Sequence, residues 1–166
     1  MKLKKILLIA ISLVLVLGVT GCSDSSGAGK RYVQDRSDRM EDIAITDSQY
    51  KMGVTSIVTP IIQSGYNINI NAQQIKMGRG DIMSEIENIE RQVEDVQSVR
   101  NKVSSLKVLQ SKEMDKEDLI NGIDTYSQRL NNYKAVLQSE NLTKDQVQLA
   151  IDNLMAALDI VKQYTR

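Results

Sequence analysis

Apolar residues recur every three or four positions along four stretches of the chain, with polar residues between them. Leu119, Ile123, Tyr126, Leu130, Tyr133 and Leu137 form one stripe, and Val147, Ile151, Leu154, Leu158 and Val161 form another. Ile82, Ile86, Ile89, Val93, Val96, Arg100 and Val103 make a third, interrupted by one charge. Met40, Ile43, Asp47, Tyr50, Val54, Ile57 and Ile61 make a fourth, again with one charge. This spacing places each set on one side of an α-helix. Such stripes are unfavourable in water, so the helices must pack on one another. The expected fold is all-α: an antiparallel bundle of about four helices with coiled-coil-like packing. The predicted helices cover 33–64, 82–110, 116–138 and 144–164.

The stop signals agree with the stripes. Thr143-Lys-Asp-Gln146 has the form of a capping box, with Leu142 and Val147 placed as a hydrophobic staple. Asp115 is placed to cap the third helix, with Met114 and Leu119 as its staple, and Asp81 to cap the second after the break Gly78-Arg-Gly-Asp81. Two places resist the scheme. Pro60 lacks an N–H and is expected to kink or split the first helix near Ile57. Tyr66-Asn-Ile-Asn-Ile-Asn71 alternates like a strand without a partner strand, and reads as an irregular crossover or a frayed helix extension.

The two seam charges suggest a register. If the first two helices fold back on each other about residues 73–74, Asp47 and Arg100 fall at the same level and face each other. Such a pair would fix register more than it stabilises, because desolvation offsets most of the attraction. The alternative is that both charges lie at the rim and snorkel to water.

The first residues have a different pattern. Met1-Lys-Leu-Lys-Lys5 is basic, and Ile6 to Val19 is apolar apart from Ser12 and Gly18. This is the layout of a secretory signal peptide, and it is shorter than the roughly 20 apolar residues of a comfortable membrane span. It ends in Val19-Thr20-Gly21-Cys22, which resembles the lipobox of bacterial prolipoproteins. The resemblance covers residues 1–22. It implies cleavage between Gly21 and Cys22 and a thioether diacylglycerol on Cys22, giving attachment to the outer side of a membrane through acyl chains. Each buried methylene contributes about 0.8 kcal/mol to such anchoring. The lipobox and the Lys-, Ile- and Asn-rich composition resemble lipoproteins of low-GC Gram-positive bacteria; in a diderm host, Ser23 would imply the outer membrane. Ser23 to Lys30 reads as a polar tether with a mean reach of about 16 Å. The expected organisation is a signal peptide over 1–21, a lipidated cysteine and tether over 22–31, and one helical domain over 32–166.

Composition narrows the function. Cleavage removes Lys2, Lys4 and Lys5 from 21 basic residues, leaving 18 against 21 acidic ones, a net charge of −3. That balance gives no support for a nucleic-acid partner or a polybasic membrane patch. The chain has no histidine, Phe or Trp and a single cysteine. It therefore lacks the usual neutral-pH base, the ligands of a His/Cys metal site and any intrachain disulfide. No P-loop or dinucleotide fingerprint is present. No cofactor and no metal site is expected, and the chain is read as not an enzyme.

The remaining candidates have bland readings beside the sharp ones. Glu85, Glu87, Glu90, Glu94 and Asp95 have spacings that suit a hard cation, but against Ile86, Ile89 and Val93 they read as a solvated outer face. Arg79-Gly80-Asp81 resembles the tripeptide that integrins bind, yet Asp81 already has a role as a cap. Asn141-Leu-Thr143 fits the N-glycosylation pattern, which a bacterial lipoprotein seldom uses. Tyr126 and Tyr133 are seam residues by spacing, and are also the candidate lining of a ligand pocket between helices. The expected function is a non-catalytic interaction module at the cell envelope, held by lipid on Cys22, with another envelope protein or the cell wall as partner. The alternative is a lipoprotein that binds a small ligand or glycan between its helices. A carboxylate-only glycan hydrolase is a third class, needing two acids about 5–10 Å apart in a cleft.

Overall fold

The computed structural model describes residues 46–166. They form four α-helices: α1 Asp47–Lys76, α2 Ile82–Ser104, α3 Glu113–Leu137 and α4 Lys144–Gln163, with a 3-10 turn at Gln110–Lys112 before α3. No strand occurs among the described residues. The expected signal helix, the cleavage site Gly21–Cys22, the tether and the seam positions Met40 and Ile43 lie outside them.

The helices form an all-α bundle. α1 packs on α2 and α4, and α3 packs on the same two, so α1 and α3 lie across a diagonal. Neighbours run antiparallel. Gln92 reaches Ile61 while Glu85 reaches Asn71, and Arg100 meets Asp124 while Glu90 meets Lys134. Every residue of the two uninterrupted stripes is buried, from Leu119 to Leu137 and from Val147 to Val161. Each such Leu, Ile or Val contributes about 1.5–3 kcal/mol on leaving water.

The helix ends follow local chemistry. Thr143 and Gln146 close a reciprocal capping box, and Thr46 and Gln49 close another at the start of α1. Asp81 accepts from the Met83 and Ser84 N–H groups at 3.0 and 3.3 Å, as its position suggested. α1 ends in a Schellman turn. Gly78 takes φ +71°, its N–H bonds the Ile75 carbonyl, and the Arg79 N–H bonds the Gln74 carbonyl.

Four expectations need correction. α1 does not run unbroken through 46 as expected: it starts at Asp47, where the extended Thr46 caps it, and positions 33–45 lie outside the described residues. It is not split at Pro60 and does not stop at 64. It runs on to Lys76, and the Asn-Ile alternation is helical, with Ile68 buried and Ile70 58 % exposed. The buried positions beyond Ile61 are Gly65, Ile68 and Ala72, so the seam continues through small residues. The third helix begins at Glu113, so Asp115 lies in its first turn rather than at its cap; it accepts from Lys112 Nζ at 2.9 Å. Met114 is exposed and staples nothing.

The fourth correction concerns register. Asp47 and Arg100 are not partners: Arg100 Nε donates to Asp124 Oδ1 on α3 at 2.6 Å. The cause is the longer α1. The hairpin folds at Met77–Gly78 instead of 73–74, which moves the position opposite Asp47 past the end of α2 at Ser104. Arg100 sits on the flank facing α3, where the Asp124 carboxylate holds its guanidinium above its ordinary pKa.

Candidate functional site

Heptad spacing on two helices builds a polar layer inside the bundle. Glu85 and Gln92 lie seven residues apart on α2, and Tyr126 and Tyr133 seven apart on α3. Across the antiparallel α2–α3 pair, the Glu85 charge acts on Tyr133, and the Gln92 amide lies beside the Tyr126 hydroxyl. All four are buried, with Glu85 only 3 % and Gln92 2 % exposed. This reverses the expectation for Glu85, which belongs to the seam rather than the outer face. The α2 face toward the core runs through Glu85, Ile86, Ile89, Gln92, Val96, Val99 and Val103. Ile82 and Val93 are only partly covered. Glu87, Glu90, Glu94 and Asp95 are exposed as expected.

Glu85 Oε2 accepts from Asn71 Nδ2 at 2.7 Å and Asn88 Nδ2 at 3.3 Å, while Oε1 has no hydrogen-bond partner. Burial raises its carboxyl above the ordinary range, and the two asparagine bonds oppose the rise. Burial also raises the Tyr133 hydroxyl, helped by the Glu85 charge. Gln92 Nε2 donates to the Ile61 carbonyl at 3.3 Å. The Tyr126 hydroxyl lies near that amide but has no bond of good geometry, and burial raises its pKa. A buried polar atom left unpaired costs about 1–3 kcal/mol.

Tyr126 and Tyr133 are completely buried and line none of the three clefts described below, so they pack as core residues. The reason is visible at Gly65. A Cβ built there would lie 2.7 Å from the Tyr126 hydroxyl and 2.6 Å from Leu158 Cδ2. The absent side chain on α1 is the space that the α3 tyrosine fills across the diagonal. Gly65→Ala is therefore expected to destabilise the bundle. Overpacking of about 1–3 kcal/mol outweighs the gain of about 1 kcal/mol in helix propensity. Adding Tyr126→Phe should recover part of the loss, since it removes one of the two close atoms. Urea unfolding midpoints of the wild type, Gly65→Ala and the double variant measure both steps.

Three surface concavities stand out among the described residues. A polar cleft of about 260 Å³ at the α1–α2 turn is lined by Asn71, Gln74, Arg79, Asp81, Ser84 and Glu85, with Ile75 and Gly80 behind them. A groove of about 190 Å³ between α3 and α4 is lined by Val136, Leu149 and Ala150, with Arg129, Asn132 and Gln146 around them. A cleft of about 360 Å³ at the opposite end of the bundle from the α1–α2 turn contains Asp47, Tyr50, Lys51, Lys112, Asp115 and Tyr164. Among the described residues, no group of three or more acidic, His or Cys side chains is placed to hold a metal ion. No helix among them is long and apolar enough to cross a membrane.

No family model, curated protein or solved structure matches the chain.

Of the residues singled out by sequence, Gly21 and Cys22 lie outside the described part. Asp47 and Arg100 are separated, Tyr126 and Tyr133 are enclosed, and Asp81 is engaged as a cap. Asn71, Glu85 and Gln92 were missed as interior or cleft residues. The available signal was a line of seven-residue steps, Glu85–Gln92–Val99, parallel to the apolar stripe.

Proposed function

We propose that this protein is a lipid-anchored, extracytoplasmic interaction module of the bacterial cell envelope, without catalysis of its own. Val19-Thr20-Gly21-Cys22 supports the anchor. The observation that carries the interaction reading is the α3–α4 groove. Leu149 stands 66 % exposed there, beside Val136 and Ala150, although the four helices have already buried their seams against one another. An apolar strip left over after a bundle has closed suits the apolar face of a partner helix. Arg129 at its edge favours a partner carrying a carboxylate beside that face.

The test is a photo-crosslinking amino acid placed at Leu149 in the full chain, expressed in cells. The expected result is an adduct with a second envelope polypeptide. The adduct should be absent when the probe stands at Asp95 on the outer face of α2, and reduced by Arg129→Glu. Cys22→Ala should abolish lipid attachment, read by intact mass, and lower the adduct yield. An adduct of twice the protein's own mass would replace the partner by a second copy. No adduct at 149 beyond that at 95 would remove the groove from the account.

A further inference from the structure

Glu85 is a buried acid facing a cleft, and no Lys or Arg among the described residues forms an ion pair with it. The rest of the cleft at the α1–α2 turn combines neutral polar groups with two charged side chains, Asp81 and Arg79. Asn71 donates its amide N–H to Glu85 Oε2, which directs its carbonyl oxygen away from that carboxylate. Gln74 and Ser84 add two more groups able to accept, and Asp81 adds a second acid, one of whose oxygens caps α2. The one cation of the lining, Arg79, stands on the exposed turn. Gly80 holds this turn close to α1: a Cβ there would lie 2.7 Å from the Ile75 backbone nitrogen, so the wall of the cleft has little freedom to move inward.

We propose that this cleft binds a small zwitterionic amine, of the size of an amino acid or dipeptide. The α-ammonium sits against Glu85 among the Asn71, Gln74 and Ser84 oxygens, and the carboxylate reaches Arg79. The chemistry follows from the lining. An ammonium has three N–H donors and needs acceptors on several sides, with one negative charge to replace lost hydration. A free metal ion is a poorer fit, because a hard cation of the calcium type takes six to eight oxygen ligands, and one oxygen of each carboxylate is already engaged, Glu85 Oε2 by Asn71 and Asn88 and Asp81 Oδ1 by the α2 cap. An anionic ligand without an amine would face two acids and one arginine. The inference is independent of the α3–α4 groove, which lies on another face.

Titration calorimetry on the full-length protein in detergent tests it with four probes: L-alanine, L-alanyl-L-alanine, N-acetyl-L-alanine and ethylamine. Alanine or alanylalanine should bind, and which of them binds more tightly tells a free amino acid from a peptide end. N-acetylalanine, which has lost the ammonium, should bind at least about tenfold more weakly. Ethylamine should bind more weakly than alanine but retain its dependence on Glu85. Glu85→Gln should abolish binding of every probe, while Arg79→Ala should weaken alanine and alanylalanine and leave ethylamine unchanged. Equal binding of N-acetylalanine and alanine, undiminished binding to Glu85→Gln, or no heat from alanine and alanylalanine at 10 mM (roughly the weakest affinity of interest) would each overturn it.

Discussion

Glu85→Gln is expected to stabilise the folded protein at neutral pH by about 1–3 kcal/mol, the cost of burying a polar atom without a partner, here the charged Glu85 Oε1. The carboxylate is almost wholly buried, and two asparagine bonds at one oxygen do not outweigh the loss of water at both. Glutamine keeps an acceptor for Asn71 and Asn88 and carries no charge. The sign of the pH dependence follows. The folded state holds the Glu85 proton more tightly than the unfolded chain does, since its pKa is raised from the ordinary value of 4.5. Stability from this residue is therefore greatest below 4.5. It falls as pH climbs from 4.5 through the raised folded value, then stays at its lower level. Wild type and Glu85→Gln should converge in acid and separate above it, and the difference between their urea curves at each pH isolates this one group. A variant less stable than wild type at pH 7 would show that the asparagine bonds dominate. A difference that does not change with pH would place the titration elsewhere.

The same residue explains why the fold was readable from sequence and the site was not. Where seam positions are all large and apolar, as from Leu119 to Leu137 and from Val147 to Val161, burial matches the stripe residue for residue. Such residues lose free energy in water wherever the chain folds, so the pattern alone determines the buried face. Glu85 and Gln92 occupy seam positions against that rule. Their burial depends on Asn71, Asn88 and the Ile61 carbonyl, partners brought close only by tertiary packing. A charged residue between Ile82 and Ile86 reads as surface until the partner helix is known. The register failed for a related reason. Gly65 and Ala72 carry the α1 seam through a stretch whose visible apolar residues, Ile68 and Ile70, alternate like a strand. Without those small residues counted, α1 appears to end early, the turn shifts toward its N-terminus, and Asp47 is matched to Arg100 instead of lying beyond the end of α2. The polar cleft exists only because α1 reaches Lys76, which brings Asn71 and Gln74 beside the start of α2.

Pro60→Ala is expected to stabilise the bundle by about 2 kcal/mol. A proline inside a helix costs about 3 kcal/mol relative to alanine, and its restriction of the unfolded chain returns up to about 1 kcal/mol of that. Pro60 lies near the middle of the 30-residue α1, on the exposed side. Its nitrogen has no hydrogen to give the Ser56 carbonyl, and its ring crowds that oxygen. Around it, Thr55 Oγ1 donates to the Lys51 carbonyl at 2.8 Å and Thr59 Oγ1 to the Thr55 carbonyl at 2.6 Å, a kind of back-bonding that favours bending. The helix nevertheless continues, because both halves are seated in the core: Tyr50, Val54 and Val58 before the proline, and Ile61, Gly65, Ile68 and Ala72 after it. Tertiary burial on each side exceeds the local penalty, so the chain stays helical where propensity alone would break it. Because the proline touches little, alanine should restore the missing bond without disturbing packing. Gln63→Ala, one turn on and also exposed, serves as the control and should change stability by less than about 0.5 kcal/mol. Chemical unfolding of the two variants decides the matter. A Pro60→Ala protein no more stable than wild type would mean that the second half of α1 needs a bend at Pro60 to reach its seats on α2 and α4.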